Sequence, residues 1–276
     1  MKTILIPTED HDAMPAVLEA ARQIAHTFNS YMEGFAVRPS VESYVGVEPV
    51  SGLAIMGIHD DDIAIQALSQ FESFMRSHGV PRAEKEQSAY SYGWTREEAA
   101  DDAFVGSLGR VFDLIVLGRP GPNPENPRMA PLEAALFDSG RPVLIVPTST
   151  PQTLARNVLV SWNGSTEQAR TNGFAVPLLR LADKVTVLTV EGGTTPGPSG
   201  VEATRHLRQN GIKATAVTIK PGAHTTGEAI LNYATSLGCD LLVKGAYTQS
   251  RLRQMIFGGA TRHILANATL PVLMAN

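Results

Sequence analysis

Asp113-Leu-Ile-Val-Leu-Gly118 recurs later in the chain as Asp240-Leu-Leu-Val-Lys-Gly245. Working outward, Arg141-Pro-Val-Leu-Ile-Val146 recurs as Leu270-Pro-Val-Leu-Met-Ala275. The opening Thr3-Ile-Leu-Ile-Pro7 recurs as Asn157-Val-Leu-Val-Ser161. Three apolar, strand-like runs in the same order mark a duplicated domain. The copies differ at residues able to hold a ligand, so comparing them bears on function.

The short apolar runs alternate with stretches of helical period. In the first copy strands are expected at 3–7, 31–37, 85–91, 113–117 and 142–146, with helices at 13–28, 59–78, 95–109 and 131–138. In the second, strands are expected at 157–161, 184–190, 213–219, 240–244 and 271–274, with helices at 165–180, 199–210, 225–237 and 250–267. This alternation predicts an α/β fold of βαβ units, with a parallel sheet covered on both faces. Each copy reads as a doubly wound, five-stranded parallel-sheet domain. The expected domains are residues 1–148 and 154–276, joined through Pro147-Thr-Ser-Thr-Pro-Gln-Thr153. That linker is short, which favours docked over independently drifting domains.

A length of 276 residues suits two such domains, and 43% hydrophobic content lets each bury a core. A net charge of −4 leaves no electrostatic footprint for nucleic acid or an anionic membrane. The single cysteine, Cys239, excludes an intrachain disulfide or a Cys-based metal site and reads as a half-buried, inert thiol. The N-terminus lacks the apolar core of a signal peptide, and no run approaches the ~20 apolar residues of a membrane span. A soluble, cytoplasmic protein is the expectation.

Strand one is displaced by 154 residues between copies but strand four by only 127, so the first copy carries 27 extra residues between them. Much of the excess falls in Arg38–Ile58, after strand two. Ligands bind near the carboxyl ends of such strands, so this insertion is either a lid or a plug over an abandoned pocket.

After strand four of the second copy comes Gly245-Ala-Tyr-Thr248, then nine residues, then Gly258-Gly259-Ala-Thr261 and a helical continuation. Glycines between a strand and a helix let backbone approach a phosphate, and the helix N-terminus favours an anion. Thr248, Ser250 and Thr261 offer hydroxyls, and Arg251 and Arg253 bring positive charge. The plainer alternative is that the glycines only end a strand and let a helix pack closely.

On these motifs the second copy resembles the universal stress protein family over essentially its whole length, and the first copy more weakly. Nucleotide-binding members of that family carry Gly-x2-Gly-x9-Gly-Ser/Thr after strand four. Gly245 and Gly258 match the first and third glycines; Thr248 replaces the second, and Gly259 replaces the Ser/Thr, with Thr261 two positions on. The family's first strand ends near an Asp that approaches the adenosine; here Trp162-Asn163 stands there, and Asn163 brings no charge. The resemblance also places the Val190 backbone against adenine. It implies an adenine nucleotide alpha hydrolase-like, Rossmann-like fold. The ligand set it implies is Trp162, Asn163, Val190, Gly245, Tyr247, Thr248, Gly258, Gly259, Ala260 and Thr261, for ATP or another adenine nucleotide with Mg2+ as its companion. The family associates through its last strands, so 142–146 and 271–274 are expected to pair edge to edge within one chain as an intramolecular pseudo-dimer, with homodimerisation as a further level.

Bland roles stand beside these. Ser165 reads as a helix N-cap with Gln168 as its capping-box partner. The histidines at 11, 26, 59, 78, 206, 224 and 263 read mainly as solvated, with His263 a candidate for approach to a phosphate. Asp60-Asp-Asp62, Glu97-Glu98 and Asp101-Asp102 read as helix-start charges on solvated faces. In the first copy, Gly118-Arg-Pro-Gly121 keeps a glycine pair, but Pro131 stands where the third glycine belongs and offers no N–H. Glu9 or Asp10 remains near the adenosine position, yet the phosphate side looks dismantled.

Three functions compete: a nucleotide-binding stress-response protein used for sensing or regulation, an interaction module of the same fold that binds no nucleotide, and a nucleotide hydrolase. The third lacks a positioned general base and a metal-held phosphate. No catalytic or metal-ligating residue is assigned.

Overall fold

Both copies of the repeated hexapeptide are fixed at both ends. Asp113 accepts from the backbone N–H groups of Lys2 and Thr3 at 2.5 and 3.2 Å. Asp240 does the same for Arg156 and Asn157 at 3.0 and 2.9 Å. Each aspartate thereby ties the amino end of strand four to strand one, and the closing glycine of each hexapeptide sits against a helix or loop.

The computed structural model describes residues 1–38, 53–85 (with side chains from 62), 89–97, 100–123, 125–149, 152–246 and 259–276. The chain divides into two units, Met1–Arg141 and Pro142–Asn276.

In the first unit, β1 (Thr3–Thr8), β2 (Tyr31–Ala36), β3 (Ser91–Trp94) and β4 (Leu114–Gly118) alternate with α1 (Met14–Phe28), α2 (Leu53–Ser77), α3 (Asp102–Gly109) and α4 (Met129–Asp138). The strand order is β3-β2-β1-β4, all parallel. Ile4, Leu5, Ile6, Leu114, Ile115 and Val116 are wholly buried, as central parallel strands require. Phe71 of α2 packs on Tyr92 and Trp94 of β3. Gly34 makes room, since a Cβ there would lie 2.8 Å from both Phe71 and Trp94.

Three boundaries differ from the sequence reading. The third strand is Ser91–Trp94 instead of 85–91. Tyr92-Gly-Trp94 resembles a turn in sequence but pairs with Met32–Gly34, where its aromatics have Phe71 to pack on. Helix α3 starts at Asp102, not 95, because Asp101 adopts an extended backbone and its carboxylate takes the Phe104 N–H at 3.0 Å. Helix α2 starts at Leu53, so the end of the 38–58 insertion is helical, while 39–52 lies outside the described residues.

The second unit contains β5 (Val143–Val146), β6 (Asn157–Ser161), β7 (Lys184–Val190), β8 (Ala214–Ile219), β9 (Leu241–Gly245) and β10 (Val272–Ala275). Its helices are α5 (Thr166–Leu179), α6 (Gly200–Gln209), α7 (Thr226–Ser236) and α8 (Gly259–Asn267). Strands β10-β9-β6-β7-β8 run parallel in that order. β5, from the first repeat, pairs antiparallel with β10, with Ile145 opposite Val272 and Leu144 opposite Leu273. The edge-to-edge pairing expected of 142–146 and 271–274 is therefore present. Helix α8 is described from Gly259, and the earlier part of the helix expected at 250–267 lies outside the described residues.

Candidate functional site

In each unit the strand order reverses its direction of growth between strand one and strand four, and ligands bind outside the carboxyl ends of strands at such switch points. In the second unit these ends are Ser161 of β6 and Gly245 of β9.

Beyond β6, Trp162 is buried and donates its indole N–H to the Pro198 carbonyl at 2.8 Å. This anchors the loop between β7 and α6. The same loop returns over Asn163, whose carbonyl accepts from the Thr195 N–H at 2.8 Å and the Thr195 hydroxyl at 3.2 Å. Gly164 has φ +80°, and a Cβ there would lie 2.9 Å from the Thr195 carbonyl oxygen, so only glycine lets the loops meet. The Asn163 side chain is also engaged: its Oδ1 accepts from the Ser165 N–H at 3.2 Å. Val190 is buried at the end of β7, and its carbonyl accepts from Gly193 at 3.1 Å.

Ser165 caps α5, accepting from the Gln168 N–H at 3.1 Å. The reciprocal half of the expected capping box is absent. Asn163 satisfies the Ser165 N–H, and the buried Gln168 side chain turns inward instead. Its Oε1 accepts from the Gly245 N–H at 2.7 Å, and its Nε2 donates to Asn172 Oδ1 at 2.9 Å. A Cβ on Gly245 would lie 2.5 Å from the Gln168 nitrogen. Gly245 thus admits the first turn of α5 and already spends its N–H inside the protein.

Thr261, in the first turn of α8, is buried and donates its hydroxyl to the Ala246 carbonyl at 2.9 Å, stapling the helix to the end of β9. Among the described residues, none lies within 4 Å of where a Cβ on Gly259 would stand. Ala260 borders α7, its carbonyl 3.0 Å from the Cβ position of Gly227. His263 lies half-buried on α8, and its Cβ is 2.7 Å from that same position on Gly227. Tyr247, Thr248 and Gly258 lie outside the described residues. Trp162, Asn163, Val190, Gly245, Gly259, Ala260 and Thr261 all stand on the loops or ends that border the carboxyl side of β6, β7 and β9.

The first unit closes the equivalent space with its own side chains. A Cβ on Gly118 would meet Pro127 at 2.4 Å and His11 at 3.0 Å. His11 is buried, not solvated as its sequence context suggests, and burial lowers its pKa. Glu125 and Asn126 are tied to the β1–α1 loop by Asp12 N–H to Glu125 carbonyl at 2.9 Å and Asn126 Nδ2 to Asp12 Oδ2 at 3.1 Å. Arg128, the N-cap of α4, bridges Glu9 and Asp102, its Nη2 lying 2.5 and 2.7 Å from them. Asp102 is therefore half of a largely buried ion pair instead of a charge on a solvated face. Burial pushes the Glu9 carboxyl above its usual range and outweighs the lowering pull of Arg128. Pro131 lies in the first turn of α4 and offers no N–H there.

Sequence reasoning passed over Lys244, which occupies a place filled by Leu117 in the first copy. It is buried, and its ammonium donates to the Gly245 carbonyl at 2.8 Å. Its signal was available: a lysine interrupting an otherwise apolar central strand. Arg128 and Gln168 carried no comparable local signal.

Residues 155–276 match the family model described as the universal stress protein family. A universal stress protein of Synechocystis sp. is 28% identical over 169 residues, covering 59% of this chain and 57% of that relative, so the match spans little more than half of its length. A universal stress protein of Archaeoglobus fulgidus superposes with a TM-score of 0.75 at 15% identity, covering 99% of this chain and 98% of that one. A protein from Pseudomonas aeruginosa UCBPP-PA14 gives a TM-score of 0.56 at 15% identity, covering 100% and 93%. These two likenesses establish a shared fold.

Proposed function

Residues 155–276 belong to the universal stress protein family, and on that premise we propose that the second unit binds ATP or another adenine nucleotide for sensing or regulation in a stress response. The observation that carries this reading is the contrast between the two strand-four ends. In the first unit Pro127 and His11 crowd Gly118, and Arg128 at the start of α4 is bound to Glu9 and Asp102. In the second, the start of α8 at Gly259 is open among the described residues, and a buried cation stands at the end of β9.

Backbone N–H groups at a helix start suit phosphate oxygens, and loss of the Cβ permits close approach. Gly258, Gly259, Ala260 and Thr261 would face the phosphates, with Tyr247 and Thr248 completing the glycine-bearing stretch. Trp162, Asn163 and the Val190 backbone would border the adenosine, and Mg2+ would accompany the phosphates. The role proposed is sensing or regulation, with any nucleotide turnover slow.

The test is mass spectrometry on a denaturing extract of purified protein, followed by calorimetric titration with ATP. Retained or titratable nucleotide, lost in Gly258→Val, is the expected result. No binding at millimolar ATP would overturn the reading.

A second reading rests on a separate observation. Asn163 Oδ1, the Gly245 N–H and the Thr261 hydroxyl are each engaged by another residue of the chain. A domain whose ligand groups satisfy one another is suited to act as a protein-interaction module without nucleotide. The same titration separates the two. The described residues include no helix long and apolar enough to cross a membrane.

A further inference from the structure

A buried ammonium needs an anion or it remains a cost to the fold. Lys244 lies on β9, the strand beside β6 at the switch point, and only 5% of its surface is exposed. Its side chain runs toward the carboxyl end of the strand, since Nζ reaches the carbonyl of the next residue, Gly245, at 2.8 Å. That carbonyl is the only acceptor it meets among the described residues, and no carboxylate lies within salt-bridge distance there. Glu167, in the first turn of α5, raises its basicity by less than burial lowers it. Burial dominates and lowers the ammonium pKa from 10.5 to about 8, so most of it stays charged at neutral pH. The sequence that follows, Tyr247 to Gly258, contains Arg251 and Arg253 but no Asp or Glu. The corresponding first-copy residue is Leu117, beside a crevice the first unit has closed.

We propose that Lys244 is a specificity-determining residue, an internal cation that pairs with the phosphate groups of the ligand and makes the second unit select phosphorylated over unphosphorylated ligands. The inference rests on the nucleotide reading above but concerns the anion alone, so it can fail separately. No covalent step is involved; the ammonium forms a charge-assisted hydrogen bond with a phosphate oxygen.

The experiment is calorimetric titration of the full chain and of Lys244→Met with ATP, adenosine and inorganic triphosphate. Melting of the ligand-free proteins serves as a control for folding. Methionine matches the length of the lysine stem and removes the buried charge, so the variant is expected to melt no lower than the parent. The expected result is that the parent prefers ATP to adenosine, and that Lys244→Met loses about tenfold or more in affinity for ATP and triphosphate. Adenosine binding should be unchanged. If triphosphate binds through Lys244 while ATP and adenosine do not bind, the anion site stands and the nucleotide reading falls. If ATP binds but Lys244→Met leaves its affinity unchanged, or weakens ATP and adenosine equally, the inference is overturned and the nucleotide reading stands. If none of the three binds the parent, both fall. Should Lys244→Met fail to fold, Lys244→Gln, which also removes the charge, takes its place: a tenfold or greater loss for ATP and triphosphate with adenosine unchanged is expected, and unchanged ATP affinity overturns the inference.

Discussion

The Gln168 side chain accepts a hydrogen bond from the Gly245 N–H at 2.7 Å, across 77 residues of sequence. It joins the first turn of α5 to the last residue of β9. Gln168→Leu would leave that buried N–H, and the Asn172 side chain, without their partner. Each such buried group costs about 1–3 kcal/mol, so a loss of about 2 kcal/mol is expected in urea denaturation. Gly245→Ala should be worse, because the new Cβ would meet Gln168 backbone at 2.5–2.8 Å and push the helix outward. Equal, near-zero losses in both variants would show that the contact contributes nothing to stability.

Lys244 makes a pH-dependent prediction that needs no ligand. Its folded pKa, about 8, is lower than its ordinary 10.5. Between those values the unfolded chain holds a proton that the folded chain has released, so stability from this group rises with pH across that window. The gain reaches on the order of 3 kcal/mol if the whole shift is realised. Lys244→Met should be more stable than the parent at pH 7, and the difference should shrink as pH approaches 10. Denaturation curves at pH 7, 8, 9 and 10 give the comparison; a constant difference would contradict the assigned burial cost.

The legibility of this chain follows from the range of its interactions. The strands at 3–7, 157–161, 240–244 and 271–274 are readable because burial on both faces demands short apolar cores such as Leu241-Leu-Val243, a local pattern. β3 lies beyond the expected 85–91 because the β2 register and the packing of Tyr92 and Trp94 on Phe71, both long-range, define it. The capping-box expectation at Ser165 was half right for the same reason. The local bond from Gln168 N–H formed, while its side chain answered to a distant glycine. Arg128 and Glu9 are separated by 119 residues, and nothing near either one announces the other. The glycine spacing pointed to the α8 start, but the engagement of Asn163, Gly245 and Thr261 within the fold depends on contacts that sequence does not record.

The closed crevice of the first unit predicts the behaviour of Arg128. Arg128→Met would remove the counter-charge from Glu9 and Asp102, whose side chains are 10% and 13% exposed. Because Arg128 is itself partly exposed, the expected loss is about 2 kcal/mol, below the range for fully buried pairs. The variant should also become more sensitive to pH. Glu9 already titrates above its ordinary value because burial outweighs Arg128. Its folded form binds a proton more readily than its unfolded form, so stability falls as pH rises from 4.5 through the folded pKa. Removing Arg128 raises that pKa further and deepens the fall, whereas Glu9→Gln abolishes it. Thermal melts from pH 4 to 8 would show this, and identical profiles in parent and Glu9→Gln would refute it.

Gly118, at the end of β4, and Gly259, at the start of α8, should respond oppositely to alanine. Gly118→Ala places a methyl 2.4 Å from Pro127 and should destabilise the protein by about 2 kcal/mol. Gly259→Ala meets no described residue within 4 Å and begins a helix, so stability should stay the same or rise by up to about 1 kcal/mol. If phosphate approaches that backbone, the same methyl should weaken ATP binding while leaving the melting temperature intact. Unaltered ATP affinity in a well-folded Gly259→Ala protein would move the phosphate away from the α8 start.

The β5–β10 pairing carries a last consequence for association. β10 is bonded to β9 on one side and to β5 on the other, with Leu273 opposite Leu144. A fragment of residues 154–276 retains β10 but lacks β5, leaving a row of backbone donors and acceptors beside a buried apolar strand. Such an edge recruits another strand. The fragment should therefore self-associate at tens of micromolar, most simply as a dimer joined antiparallel through two copies of β10. A peptide spanning residues 141–149, supplied in excess, should compete for the same edge and reduce the associated fraction. Size-exclusion chromatography with light scattering reads both effects. A fragment that remains a soluble monomer without the peptide would show that β10 does not need β5 as a partner.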